Sequence, residues 1–391
     1  MLLLGGCKGA ALPRPQEPAA GVKERSKIKR SVHDTPAPQS TQPQKIAIGT
    51  QLGGARQGVP LNLKGAVSTF AGKTGTAGAA DGSAAHASFD LPKGIATDGI
   101  SLYLADLNNH TIRKIDIESG MVTTIAGMAG KKGSNDGKGA AARFNRPYGI
   151  TTDGTSLYVT DSNNHTIRQI DIESAMVSTI AGGVGEVGYM NGSAKKARFF
   201  IPEGITTDGT NLYVADTHNH SIRQIELESD VVTTIAGLSG SPGFADDARA
   251  NARFSYPKGI TTDGRNLYVV DFGNHRVRKI VINSGVVTTL AGSDVSENSS
   301  DEQGEAARFN YPTGITSDGR NLYVVDTFNR TVRKIVIANS VVSTIAGKAD
   351  LEGSVDATGT GARFRDPVGI TTDGNYLFVT DSSNHTVRKI R

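Results

Sequence analysis

Apolar residues fall in short bursts along most of the chain, and no run approaches the roughly 18 residues that would suggest a membrane-spanning helix. The bursts recur in one order: Phe-x-x-Pro-x-Gly-Ile, Asp-Gly, Leu-Tyr-Val-x-Asp-x-x-Asn-His, Thr-Ile-Arg-Lys-Ile and Val-x-Thr-Ile-Ala-Gly, then a Gly-rich loop. Pro92, Pro147, Pro202, Pro257, Pro312 and Pro367 mark six copies, each 55 residues after the last without insertion or deletion. A fixed period signals a repeat architecture and takes precedence over the reading of any single element. Each copy predicts four short strands separated by turn signals.

The local chemistry supports that reading. Asp153-Gly154 and its five equivalents supply the positive φ that a tight hairpin needs between the first and second strands. Runs such as Leu157-Tyr158-Val159 suit a pleated, packed surface, and they carry apolar or semi-apolar groups toward both faces. Sheets covered on both faces and repeated six times predict an all-β fold, a six-bladed propeller of four-stranded antiparallel blades. The sixth copy ends at Arg391, after its third strand, while Val67-Ser68-Thr69-Phe70-Ala71-Gly72 matches a fourth strand and precedes the first copy. The N-terminal strand should therefore complete the last blade, a 3+1 clasp that removes an open edge.

Asp161-Ser162-Asn163-Asn164-His165, Leu157-Tyr158-Val159 and Pro147-x-Gly149-Ile150 resemble the NHL repeat, with Thr, Ser or Arg where that repeat has its Leu. The resemblance spans residues 65–391. It implies a six-bladed propeller, in a family that mostly binds proteins, peptides, glycans or RNA and whose propeller relatives include lyases and lactone hydrolases. Fold follows strongly from such a resemblance and activity weakly.

Repeated polar residues read as scaffold. His110, His165, His220, His275 and His385 recur with the period, Arg330 taking the remaining place, and are expected to hydrogen-bond or pack rather than ligate metal. Asp106, Asp161 and their equivalents are expected to accept turn N–H groups. Arg113, Arg168 and their equivalents should form blade-to-blade ion pairs or stacks. The loop residues Asp81, Asp136, Asn191, Asp246, Asp301 and Asp356 should cap Gly-rich turns rather than bind calcium. Gly183-Val184-Gly185-Glu186-Val187-Gly188 fits GxGxxG, but no helical pattern follows it. Catalysis needs a few unlike groups converging on one point, whereas these residues come six at a time. No catalytic residue, metal site or cofactor is assigned.

Composition changes the picture at one end. Net charge is +4, but residues 8–64 hold ten basic and three acidic residues (10 − 3 = +7), leaving 4 − 7 = −3 elsewhere and little case for a nucleic-acid partner. That segment is rich in Pro, Ala, Gln and Lys and is expected to be a disordered linker. Residues 1–7, ending Leu4-Gly5-Gly6-Cys7, resemble the end of a bacterial lipoprotein signal, without its positive segment and most of its apolar one. The resemblance implies a lipid on Cys7 that holds the propeller at the bacterial cell envelope, periplasmic or surface-facing; the propeller is expected to be monomeric.

Positions where the copies disagree are where an asymmetric ligand can be read. The residue between Pro and Gly runs Lys93, Tyr148, Glu203, Lys258, Thr313, Val368, and the pairs before Pro and after the turn aspartate vary as well. These segments emerge on one face of an up-and-down blade. Tyr148, Tyr256, Phe272, Tyr311 and Phe328 are candidate aromatic anchors, with Arg146, Glu203, Lys258, His218 and Arg365 as polar determinants. The expected function is non-catalytic binding of an envelope protein, peptide or glycan on this face. The alternative is a metal-assisted lyase or hydrolase in the channel, using single-copy residues such as His218, His86 or Glu203.

Overall fold

The second strand of each copy sends apolar side chains both ways, and this decides the packing. In the first blade Leu102 and Leu104 join one cluster with Ala71, Phe378 and Val387 of the preceding blade, while Tyr103 and Ala105 join another with Ile150, Leu157 and Val159 of the following one. Six such clusters lie in the six seams. Each fully buried Val, Leu or Phe there contributes roughly 1.5–3 kcal/mol.

The computed structural model describes residues 60–294 and 299–391. Six antiparallel sheets follow the period. The first blade runs Pro92–Thr97, Ser101–Asp106, Thr111–Asp116 and Met121–Gly127 from the axis outward. Three blades gain a fifth, two-residue outer strand from the incoming loop, Gly82–Ser83 in the first of them. The last blade is closed as the sequence implies: Val67–Ala71 pairs with Thr386–Ile390, Val67 opposite Ile390 and Thr69 opposite Arg388, with a bulge before Ala71. Residues 60–64, placed with the linker by composition, touch the ring. The Leu61 N–H donates to Asp318 at 3.1 Å, the Lys64 N–H to the Arg391 carbonyl at 2.8 Å, and Leu61 and Leu63 pack on the core of the fifth seam. Cys7 and residues 8–59 lie outside the described residues.

Around the axis the strands sit very close. Gly204 is needed there because a Cβ on it would run into the Lys258 carbonyl oxygen of the next blade, and the other five glycines of Pro-x-Gly-Ile face the same obstacle. Six isoleucines, Ile95 to Ile370, ring the channel and border both a cavity of about 80 Å³ at one mouth and one of about 100 Å³ at the other.

The repeated polar residues form one device per blade. Arg113 is fully buried over the Phe89 ring, 5.1 Å from its centroid, and donates to Asp106 at 2.8 Å, Asp81 at 2.7 Å and the carbonyls of Ser88 and Ala80. Asn109 bridges Asp106 and the Gly78 carbonyl. The arginine thus ties its own blade to the loop leading into it, which corrects the expected blade-to-blade pairing. Burial pushes the Asp106 carboxyl up to about 6, against the pull of Arg113, Asn109 and the Asp90 N–H. Asp106 takes that N–H from 16 residues upstream rather than from its own turn. The Asx-turn falls instead at Asp98, which accepts the N–H groups of Ile100 and Ser101 beside Gly99 at φ 89°. Asp81 also accepts the Thr124 N–H and hydroxyl, so the loop carboxylates hold the outer strand as well as the arginine.

The blade-to-blade tie belongs to the histidines. Nδ1 of His110, His165, His220 and His275 accepts the N–H of Arg146, Ile201, Tyr256 and Tyr311 in the next blade, each at 3.1 Å, and His385 does so for Leu91 at 3.3 Å. Each residue donating that N–H is in the left-handed region, φ 46–55°. The histidines are structural, as expected of residues that recur with the period.

Candidate functional site

The second-to-third turns and the long incoming loops open on one face, because each second strand ends where its blade's third begins and where the first starts. All the variable positions singled out in the sequence are on it. At the mouth of the channel Lys258 is the centre of a cluster. Its Nζ lies 3.1 Å from Glu203 Oε2, 4.3 Å from the Phe272 ring and 5.6 Å from the Tyr148 ring. Glu203 is only 8% exposed, with Lys258 as its ion-pair partner. Burial, with the nearby Glu203 and Asp366 carboxylates, raises the Tyr148 phenol well above its ordinary value. Burial also lowers Lys93 across the mouth, opposed by Asp366 at 3.5 Å.

Aromatic rings extend outward from this cluster over the second to fifth blades. His165, Phe200, His218 and Tyr256 follow one another at centroid distances of 5.9, 5.0 and 5.4 Å. Phe272, Tyr311 and Phe328 continue at 4.9 and 5.0 Å. Tyr256 is 41% and Phe328 52% exposed, large apolar areas for a solvent-facing surface. Burial lowers His218 below the ordinary histidine value, with Glu203 opposing and Lys258 reinforcing.

The structure therefore brings together Tyr148, Glu203, Tyr256, Lys258, Phe272, His218, Tyr311 and Phe328. Arg146 does not join them: its guanidinium donates to Asn108 at 3.2 Å, over the first two blades. Arg365 stands at the far end of the arc, its guanidinium exposed and without a partner among the described residues. His86 sits on the outer edge of the first blade, its Nδ1 2.8 Å from the Ser83 hydroxyl, two blades from His218 and Glu203. Among the described residues no three His, Cys, Asp or Glu side chains are grouped to hold a metal. The sequence reading noted Lys93, Phe200 and Asp366 among the variable positions and Arg330 in the histidine series, but did not select them as determinants. Phe200 was visible as a single-copy aromatic, and Arg330 as the one departure from the histidine series.

Comparison with known proteins fits this architecture. The NHL repeat model matches residues 254–280. NHL repeat-containing protein 2 of Gallus gallus is 29% identical over 301 residues, covering 68% of this chain and 41% of that protein. The chain spans about two-fifths of the length of the curated relatives of that name. A structure of a Bacteroides thetaiotaomicron protein of unknown function superposes with a TM-score of 0.63 at 25% identity, covering 83% of this chain and 75% of that one. An auxiliary nutrient binding protein of the same organism shares the fold, with a TM-score of 0.62 at 17% identity over 83% of this chain and 76% of its own. The chain carries the NHL repeat on a six-bladed β-propeller.

Proposed function

We propose that this NHL-repeat propeller is a non-catalytic binding protein that takes a protein, peptide or glycan of the bacterial envelope on its loop face. The observation that carries the reading is the run of rings over consecutive blades, with Tyr256 and Phe328 exposed, beside the half-buried Lys258 and the buried Glu203 it pairs with. Rigid aromatic area beside a desolvated charge pair is the composition of a binding hot spot. The identical residues, by contrast, are consumed by the scaffold: the arginines in their loops, the histidines in the seams. Cys7 is the proposed point of lipid attachment, with the basic, Pro-rich stretch after it as a spacer.

The test is a Tyr256→Ala/Phe272→Ala variant on an array of envelope glycans and peptides. Retention of the wild-type chain by a member of the array, lost in the variant at an unchanged melting temperature, is the expected result. Equal retention of both overturns the reading. Expression from the native genomic locus with intact-mass measurement tests the anchor, where a diacyl or triacyl mass on Cys7 is expected and an unmodified cysteine rejects it.

A further inference from the structure

The seam between the fifth and sixth blades differs from the other five. Arg330 stands where they have histidine, so no imidazole Nδ1 is available to accept the N–H of the next blade. Asp366, the residue that would donate it, is not in the left-handed region, and its N–H joins that of Arg365 on Asp381 Oδ1 at 3.1 and 3.0 Å. The turn bond shifts by one residue with it, the Ser382 N–H donating to the Asp366 carbonyl where the first blade uses that of Asp90. At the two preceding seams a tyrosine ring packs on the histidine, Tyr256 on His220 at 4.5 Å and Tyr311 on His275 at 4.3 Å. Here the corresponding side chain is the Asp366 carboxylate, directed to Lys93 at 3.5 Å. A cavity of about 450 Å³ opens where that ring would pack, within the range of roughly 300–1,000 Å³ common for small-molecule sites.

We propose that this cavity is a subsite for a carboxylate-bearing pyranose, a hexuronic acid unit of an acidic glycan. It rests on the loop-face reading only in sharing that face. Phe328 offers a flat ring braced by Tyr311 at 5.0 Å, a surface for the C–H face of a sugar. Arg365 brings a guanidinium without a protein partner, whose fork matches a carboxylate. Arg330 makes only long contacts, 3.4 Å to the Phe328 carbonyl and 3.6 Å to Glu352, and so keeps donors to spare. Asn310 adds an amide that can both donate and accept, and Glu352 and Asp366 are acceptors for hydroxyl groups. Donors and acceptors of both charges around one aromatic ring match a set of vicinal hydroxyls, each of which donates and accepts. An acidic peptide brings carboxylates but lacks the vicinal hydroxyls that Glu352 and Asp366 would accept.

Calorimetric titration of the full chain with methyl glucuronide and digalacturonate, against methyl glucoside and an acetylated Glu-Glu peptide, tests this. The uronates are expected to bind at least about tenfold tighter than the glucoside, and Arg365→Gln to remove that preference. Phe328→Ala should weaken binding of all the sugars. Arg330→His, the residue native to the other five seams, should lose uronate binding while melting as the wild type does. No heat with either uronate, equal affinity for glucoside and glucuronide, preference for the peptide, or an unaltered preference in Arg365→Gln each overturns the proposal. If uronates fail while Tyr256→Ala/Phe272→Ala still loses its array ligand, the subsite falls and the loop-face reading stands.

Discussion

His220 and Tyr256 are joined twice across the seam of the third and fourth blades: Nδ1 of the histidine accepts the tyrosine N–H at 3.1 Å, and their rings meet edge to face at 4.5 Å. The first contact belongs to the scaffold and the second to the proposed binding face. One scaffold bond therefore holds an exposed aromatic anchor in a backbone conformation that tyrosine rarely adopts alone, φ 50°.

This bond carries a pH dependence. Burial lowers His220 below its ordinary 6.5, so folding favours the neutral ring that accepts the N–H. The stability it contributes is complete above pH 6.5 and is lost as pH falls through the folded-state value. His220→Phe keeps a ring and removes the acceptor, and is expected to cost about 0.5–1.5 kcal/mol at pH 8 in urea unfolding. That difference from wild type should shrink toward pH 5. Comparing the two proteins at each pH cancels the carboxylates, whose raised values act in the opposite direction.

Arg168 sits with Asp161 at 2.8 Å, both fully buried. Arg168→Met leaves a buried carboxylate without its cation, and the expected loss is about 3–5 kcal/mol by urea denaturation. The Asp136 loop should exchange amide hydrogens faster in the same variant, since Arg168 is one of its tethers at 2.7 Å.

Gly204→Ala places a Cβ against the Lys258 carbonyl, a backbone atom that cannot swing aside. Overpacking of this kind costs at least about 1–3 kcal/mol. Because the displaced strand carries Lys258, the variant should also weaken ligand retention on the array described above.

Removing residues 1–72 takes away Val67–Ala71 and exposes the edge of Thr386–Ile390. The truncated ring is expected to melt at lower temperature and to self-associate, as seen by sedimentation velocity. A synthetic peptide of residues 60–72 should reverse the self-association, its Thr69 N–H returning to Asp356 at 2.9 Å.

The 55-residue period, the four strands per copy, their apolar faces and the N-terminal clasp were all legible in the chain, because each is a matter of residue type at fixed spacing. The destinations of the long side chains were not. The Arg113 guanidinium reaches back 32 residues into its own blade, whereas the His110 ring takes the main-chain N–H of Arg146, 36 residues on, in the neighbouring one. Periodicity cannot separate these cases, since the arginine contact recurs in all six blades and the histidine contact in five seams, and only the path of the incoming loop decides which stays within a blade. The exceptional seam was equally hidden: Arg330 is a visible substitution, but the turning of Asp366 toward Lys93 follows from one missing acceptor in three dimensions. Sequence by itself thus determined the ring, which repeated local hydrophobic and turn chemistry dictates. Tertiary structure alone decided where the symmetry breaks, because that depends on which neighbour each polar group finds once the blades have closed.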